Sequence, residues 1–275
     1  SLDRGYANHG WLSTYHTFSF ADYDDPQFNG WSSLRVLNDD RVKPGRVRPQ
    51  TSLRSFIQPN LTNLIVQGFG AHPHQNYEIF SYVISGSIEH RDSLGNCEVI
   101  SGGGVQSTSA GSGVRHSEYN HSKTESLHFL QLWVKPNRSG LDPSYQTVHF
   151  TEEEKRGRLC LIVAPKDELA KQPHDEATKA PVAINQDVKV YASLLAKDEQ
   201  VTHDIDEGRC GYLHVCETGG QLRLRDSGND EEVVLGPGDG AFIKEGTQLQ
   251  LIGANDDDKR VEFLLLDLTN TNAQW

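Results

Sequence analysis

The sequence predicts an all-β protein, and three observations support that prediction. Short segments rich in β-branched and aromatic residues recur along the chain between clusters of Gly, Asn and Asp. Amphipathic runs long enough to form helices are scarce. Two polar pairs, His72 with His74 and His116 with Glu118, have the alternate spacing of residues that share one face of a strand. We therefore expect strands throughout, with a polar site on their inner faces.

The first half of the chain contains several predicted strands separated by turn signals. The sequence DSLGN at 92–96 predicts a hairpin turn, and three consecutive glycines at 102–104 predict the next turn. The strands themselves are predicted from their apolar, β-branched composition at 79–84, 97–100, 127–134 and 159–163.

The second half repeats this pattern after a polar, proline-bounded segment at 164–181, which we interpret as a surface connection. An acidic run at 256–258 predicts an exposed turn before the last strand. Strands are predicted at 210–216, 221–225 and 261–266.

Length and composition indicate a globular protein. A chain of 275 residues with a hydrophobic fraction of 36% can form one large or two modest cores. No stretch approaches the ~20 apolar residues of a membrane helix, and no signal-peptide pattern opens the chain. The four cysteines form no CxxC pair, a pattern that favours reduced thiols in an intracellular compartment.

The charge balance argues against direct nucleic-acid binding. The formal net charge is −12, whereas sequence-independent duplex binding depends on Lys and Arg neutralising phosphates. One local basic stretch departs from this balance, and a solvated loop is its simplest interpretation, with docking of an acidic protein as the alternative. The stretch contains Arg41, Lys43, Arg46, Arg48 and Arg54.

The two polar pairs together predict a metal site. Neutral imidazole and carboxylate suit a divalent first-row metal that keeps an open coordination position. With 12 histidines in the chain, a single HxH pair would more often be a surface feature. Two pairs in glycine-rich β context instead favour a site, because each pair can point into one barrel from a different strand. The predicted ligands are His72, His74, His116 and Glu118.

The residues around these pairs resemble known families. The segment GFGAHPHQNYEIFSYVISG at 68–86 looks like the first cupin motif, and GSGVRHSEYN at 111–120 looks like the second, with Gly111 where many cupins have proline. More specifically, the chain resembles the pirin family, strongly over residues 4–150 and more weakly beyond. The resemblance rests on the blocks RGYANHGWLSTYHTFSF at 4–20, LRVLNDD at 34–40, 72–82, EHRDSLG at 89–95 and SAGSGVRHSEYN at 109–120.

The resemblance implies a bicupin, that is, two tandem jelly-roll β-barrels. It implies a metal-binding barrel over residues 1–150 and a degenerate barrel without a metal site over residues 151–275. GPGDGAFI at 236–243 is similar to a turn and strand common in cupins, but the second half has no HxH pair, and its His203 and His214 stand alone. Relative to the family pattern, residues 41–67 look like an insertion near the pocket mouth.

The resemblance also implies activity and roles. Pirins bind iron through residues matching the four predicted ligands, and several are quercetinases that open a flavonol with dioxygen. Iron(II) is therefore the expected metal, while nickel, manganese, cobalt and copper fit the same donors. Glu118 is the expected general base for the substrate hydroxyl. Glu78 is its rival as carboxylate ligand, because many cupins take that ligand from the first motif; the HSEYN context favours Glu118 and leaves Glu78 as a pocket or supporting residue.

The predicted strand at 127–134 contains further candidates for the pocket. Gln131 on the 127–134 strand could bind a polar ligand, with Phe129 and Trp133 on its face, although ordinary core packing explains them equally well. His128 should point the opposite way. No partner at ligand spacing is predicted for His9, His16, His90 and His121.

Three classes of function follow from the resemblance and the site. The first is a metal-dependent dioxygenase with a flavonol-like aromatic substrate and dioxygen. The second is an iron-dependent transcriptional cofactor that binds a transcription factor without turnover. The third, a purely structural bicupin, is the least favoured because the ligand set is intact. Cytoplasm and nucleus are the expected compartments, without nucleic acid or membrane as direct partners, and two barrels are compatible with a monomer.

Overall fold

The computed structural model describes residues 4–47, 64–65, 67–171, 179–229, 231–255 and 259–271. Within these ranges the chain forms strands and two single-turn helices. No helix among the described residues is long and apolar enough to cross a membrane.

The first half of the chain builds two facing sheets. A seven-stranded sheet has the order β1-β2-β3-β12-β7-β10-β13, and a four-stranded sheet has the order β6-β11-β8-β9. Apolar side chains from both sheets, among them Leu12, Ile88 and Phe129, form the core between them. The strands are β1 (Gly5–Asn8), β2 (Leu12–His16), β3 (Leu34–Val42), β4 (Arg46–Val47), β5 (Leu64–Ile65), β6 (Gly68–His74), β7 (Glu78–Ser85), β8 (Ser87–Asp92), β9 (Cys97–Ser101), β10 (Gly104–Ser109), β11 (Val114–Asn120), β12 (Leu127–Val134) and β13 (Ser144–His149).

The second half repeats this arrangement. A six-stranded sheet, β15-β14-β16-β23-β18-β21, faces a four-stranded sheet, β17-β22-β19-β20. Leu213, Leu251 and Phe263 lie in the core between them. The elements are α1 (Glu152–Lys155), β14 (Cys160–Pro165), α2 (Lys166–Leu169), β15 (Val182–Ile184), β16 (Val188–Leu195), β17 (Gln200–Ile205), β18 (Arg209–Val215), β19 (Leu222–Asp226), β20 (Glu231–Leu235), β21 (Gly240–Ile243), β22 (Thr247–Gly253) and β23 (Val261–Thr269).

The two barrels pack through their larger sheets. A single buried cluster joins Phe80 and Tyr82 of β7 to Tyr212 of β18 and Leu266 of β23. Both faces of these central strands are therefore buried, one inside its own barrel and one against the other barrel. This explains why β12 and β23 are almost continuously apolar instead of alternating.

A buried polar triad crosses the same interface. Lys155 follows a capping box in α1 and donates to the carboxylate of Glu262 at 2.7 Å and to the hydroxyl of Tyr82 at 2.6 Å. All three side chains are buried. Because a charge removed from water must be paired, the triad ties α1 and β23 of the second half to β7 of the first.

The all-β and bicupin predictions are confirmed, and the predicted strands correspond to β7, β9, β12, β14, β18, β19 and β23 with small shifts at their ends. The proposed division between residues 150 and 151 lies between β13 and β14. The acidic run 256–258 lies outside the described residues, as does most of the predicted insertion, 48–63 and 66. What is described of the insertion includes a short pairing of β4 with β5.

The interpretation of the basic stretch as a solvated loop is wrong for its first residue, Arg41. Arg41 is not part of a solvated loop, because it lies on β3 and its guanidinium pairs with Glu217 at 2.7 Å and with Asp39 at 3.4 Å. Arg48 and Arg54 lie outside the described residues.

Candidate metal centre

Antiparallel pairing of β6 with β11 brings the three predicted histidines together. His72 lies opposite His116 and His74 lies opposite Val114, so the alternation of side chains places all three imidazoles on one face. The Nε2 atoms of His72 and His116 are 3.1 Å apart. One potential ligand atom from each of the three lies within 4.8 Å of the other two. The spacing argument from the sequence correctly placed these side chains.

Glu118 lies on the same strand behind a β-bulge between His116 and Glu118. Its carboxylate is buried and accepts hydrogen bonds from two amides, from Gln106 at Oε1 and from Gln131 at Oε2, the latter at 2.9 Å. One of its carboxylate oxygens and one ring nitrogen each of His90 and His116 lie within 4.8 Å of one another. The four predicted ligands, together with His90, therefore form two triads that share His116.

His90 is a candidate site residue that the sequence did not predict. It lies on β8 directly opposite Glu118, its ring stacks on Tyr145 at 4.3 Å, and its Nε2 lies 3.2 Å from a carboxylate oxygen of Asp92. The prediction that His90 has no partner at ligand spacing is wrong. The alternation of His90 with Asp92 was a weak signal, but only the pairing of β8 with β11 shows that it meets His116.

The electrostatics suit metal binding. Burial, aided by repulsion from His116 and His72, lowers the pKa of His74 to about 4. Burial, aided by His72 and His90, lowers the pKa of His116 to about 3. Both imidazoles are therefore neutral at neutral pH, which is the form that binds metals.

The donor set fits a divalent first-row metal. Two imidazole nitrogens point at each other across 3.1 Å, and the Nδ1 of His116 is buried without a partner. A cation between the imidazoles would accept electron pairs from all three. Imidazole nitrogens with one carboxylate oxygen are donors shared by iron, nickel, copper and zinc sites.

Glu78, the rival carboxylate, belongs to another part of the molecule. It shares a strand face with Phe80 and Tyr82, which face the second barrel. Its carboxylate accepts hydrogen bonds from Ser109 at 2.8 Å and from the backbone N–H of Asn185 at 3.2 Å. The expectation that Glu78 is a pocket or supporting residue of the site is wrong.

A cavity of about 600 Å³ opens beside the histidines, and His72 and His74 form part of its wall. Much of the remaining wall is aromatic. This size and composition suit a flat organic ligand. The aromatic residues are Tyr6, Trp11, Phe20, Tyr23, Phe69 and Trp133.

Gln131 and Trp133 line this cavity as the sequence suggested. Trp133 donates its indole N–H to the Gln131 side-chain oxygen at 3.2 Å, while the Gln131 amide donates to Glu118. Phe129 is instead ordinary core. His128 points the opposite way, as predicted, and lies 2.8 Å from Asp39.

The remaining histidines have other surroundings. His9 and His16 line the cavity, and His16 forms a hydrogen bond with Asn38 at 2.8 Å. In the second barrel, His203 lies 2.9 Å from a carboxylate oxygen of Asp267. His214 is buried 3.8 Å from Asp39 across the barrel interface.

Comparison with known proteins identifies the family. A family model described as Pirin matches residues 1–134, and one described as Quercetinase C-terminal cupin domain matches residues 173–268. A quercetin 2,3-dioxygenase of Escherichia coli K12 is 40% identical over 213 residues, which is 78% of each chain. The chain belongs to the pirin family. A pirin-like protein of Caulobacter vibrioides is 35% identical over 237 residues, 84% of this chain and 89% of that one.

A solved pirin structure supports the same conclusion. The bacterial pirin YhhW of Escherichia coli, crystallised in complex with nickel(II), superposes with a TM-score of 0.76 at 36% identity, covering 98% of this chain and 96% of that one. In the present chain, the glycine at position 111, where many cupins have proline, also has a physical reason. Gly111 has a φ of +43°, which proline cannot adopt.

Proposed function

We propose that this pirin is a metal-dependent dioxygenase that opens a flavonol such as quercetin with dioxygen. The observation that carries the proposal is the cluster of His72, His74 and His116 beside an aromatic cavity of about 600 Å³. The names of the relatives support it, because an Escherichia coli homologue at 40% identity is a quercetin 2,3-dioxygenase. The nickel(II) complex of YhhW supports a divalent metal.

Each residue has a role in this proposal. His72, His74 and His116 supply nitrogen ligands, and Glu118 supplies an oxygen ligand. When bound, the metal supplies a Lewis acid with an open coordination position. Iron(II) is our first choice, and nickel, manganese, cobalt and copper match the same donors. The amides of Gln106 and Gln131 hold the Glu118 carboxylate in one orientation.

The cavity walls explain how a flavonol would be held. Trp133 stands edge-on to His74 with ring centroids 4.8 Å apart, and Phe20 stands edge-on to Trp133 at 5.5 Å. Trp11 packs edge-on to Phe69 at 5.3 Å on another part of the wall. Flat aromatic rings bind well against such faces and edges.

Dioxygen consumption with quercetin tests the proposal. Protein loaded separately with iron(II), nickel and manganese is compared with His74→Ala and Glu118→Ala variants, with metal content measured for each. His121→Ala is the matched control, because His121 is exposed and faces Glu89. We expect metal-dependent turnover that is lost in the first two variants and kept in the control. No turnover from fully metallated protein would refute the proposal.

Four properties stay predictions from the sequence and the family. They are a transcription-factor partner, a cytoplasmic or nuclear location, the absence of direct nucleic-acid binding and a monomeric state.

A further inference from the structure

Asp40 is a buried carboxylate in the wall of the cavity. On β3, Asn38 lies opposite Gln131 and Asp40 lies opposite Phe129, so the alternation of side chains turns both toward the interior of the first barrel. Asp40 is only 2% exposed, yet it lines the same cavity as His72 and His74. It therefore presents its carboxylate to the space beside the metal centre.

No cation balances this carboxylate. Among the described residues, no lysine, arginine or histidine forms an ion pair with Asp40, whereas its neighbour Asp39 is paired with Arg4, Arg41 and His128. The hydroxyl of Thr14, directly opposite on β2, is its polar neighbour and has no other partner. A buried carboxylate without a cation costs free energy, and such groups concentrate at functional sites.

Glu118, by contrast, is poorly placed to take a proton from a ligand in the cavity. Both of its oxygens already accept hydrogen bonds, from Gln106 and Gln131. Among the described residues, Gln131 lines the cavity and Glu118 does not. A general base must reach the proton that it removes.

We propose that Asp40, and not Glu118, is the general base that removes the hydroxyl proton of the substrate. The inference rests on the proposed function. In the step, the O–H bond of the substrate's enolic hydroxyl breaks, its electron pair stays on the substrate oxygen, and the proton forms an O–H bond with a carboxylate oxygen of Asp40. Charge moves from Asp40 to the substrate, and no oxidant is consumed. The substrate class is thereby narrowed to aromatic enols, since a ligand without an acidic hydroxyl would have nothing to transfer.

The acid–base behaviour of Asp40 agrees with this role. Burial raises its pKa to about 7; Thr14 opposes that rise, while the negative charges of Asp39 and Glu118 add to it. A base with a pKa near the working pH is the most effective, because it is partly ionised and still a good proton acceptor. The other titratable groups that line the cavity, among the described residues, are His72 and His74 on β6 and, from the β1–β2 side and the loop that follows it, Tyr6, His9, His16, Asp22 and Tyr23.

The absorption spectrum of bound quercetin tests the proposal, because the deprotonated flavonol absorbs at longer wavelength than the neutral one. Metal-loaded protein is titrated with quercetin without oxygen, and turnover is then measured in air. Asp40→Asn is compared with wild type and with Asp24→Asn, a matched control that removes an exposed carboxylate which is not among the described residues of the cavity wall. Metal content and thermal unfolding are recorded for each.

We expect wild type and Asp24→Asn to bind quercetin with the red-shifted spectrum. Asp40→Asn should bind quercetin without that shift and lose about 100-fold or more in kcat, the scale of general-base catalysis, with unchanged metal content and KM. Asp40→Glu should restore part of the shift. A red shift retained in Asp40→Asn, or a kcat of that variant within threefold of wild type, would overturn the proposed role of Asp40 but not the proposed function.

Two further readouts keep the test decisive. Wild type that neither shifts nor turns over quercetin would overturn the proposed function itself, so the two failures are distinguishable. If Asp40→Asn does not fold, Thr14→Val replaces it, because losing the hydroxyl should move the acidic limb of the kcat/KM profile to higher pH. A limb that does not move in Thr14→Val would contradict the assignment.

Discussion

Replacing Gln131 with leucine should weaken metal binding without unfolding the protein. The Gln131 amide donates to Glu118 Oε2 at 2.9 Å, and its oxygen accepts the indole N–H of Trp133 at 3.2 Å. Leucine has a similar volume but no polar atoms. The Gln131→Leu variant would therefore leave one carboxylate oxygen of Glu118 without its donor, at a site that is already buried.

The expected size follows from these contacts. A hydrogen bond to a charged group contributes about 1.5–3 kcal/mol, and losing a group that orients a metal ligand typically weakens metal affinity ~10–100-fold. At about 1.4 kcal/mol per tenfold change, the two figures agree. The indole of Trp133 is only partly buried, so water can replace its lost acceptor. We expect the dissociation constant for nickel(II) to rise ~10–100-fold.

Competition with a chelator of known affinity measures this change. Gln146→Leu is the matched control, because Gln146 forms two hydrogen bonds with the backbone of Ala183, away from the histidines. The control should lose stability but keep its nickel affinity. Nickel affinity within threefold of wild type in Gln131→Leu, or an equal loss in Gln146→Leu, would refute the reasoning.

Three further predictions concern stability and ligand identity. Lys155→Met should destabilise the protein by about 3–5 kcal/mol, because Glu262 would stay buried without its cation, whereas Lys155→Met with Glu262→Gln should recover most of that loss in urea unfolding; equal losses would contradict the pairing. Glu78→Gln should leave metal content unchanged by elemental analysis while lowering the unfolding midpoint, and a loss of metal would restore Glu78 as a ligand. In metal-free protein, ionisation of Asp40 should destabilise the fold as pH rises from about 4, its pKa when unfolded, to about 7, its pKa when folded. The free energy of unfolding of Asp40→Asn should therefore exceed that of wild type by an amount that grows over this interval to on the order of a few kcal/mol, with no difference below it. A pH-independent difference would contradict this.

The sequence was sufficient for the features that depend on local periodicity. The i, i+2 spacing correctly placed His72, His74 and His116 on one face, since strand alternation needs no knowledge of pairing. The β12 strand was predicted with its observed bounds, because its apolar run is bounded by polar residues. The same alternation separated His128 from Gln131.

Features that depend on which strands are neighbours could not be read from local patterns. His90 meets His116 only because β8 pairs with β11, and nothing around His90 in sequence indicates that register. Glu78 lies at a spacing that alternation from His74 allows, but a turn between β6 and β7 puts its strand in the other sheet. Asp40 was part of a family block, yet its position in the cavity depends on the pairing of β3 with β12.

Isotopic labelling tests the central claim most directly. Metal-loaded wild-type protein turns over quercetin under ¹⁸O₂, and mass spectrometry counts the labelled atoms in the products. A dioxygenase whose metal is bound by His72, His74, His116 and Glu118 should incorporate two ¹⁸O atoms per quercetin. Metal-depleted protein should incorporate none. Products with no label, one labelled atom per turnover, or equal labelling without metal would contradict the claim.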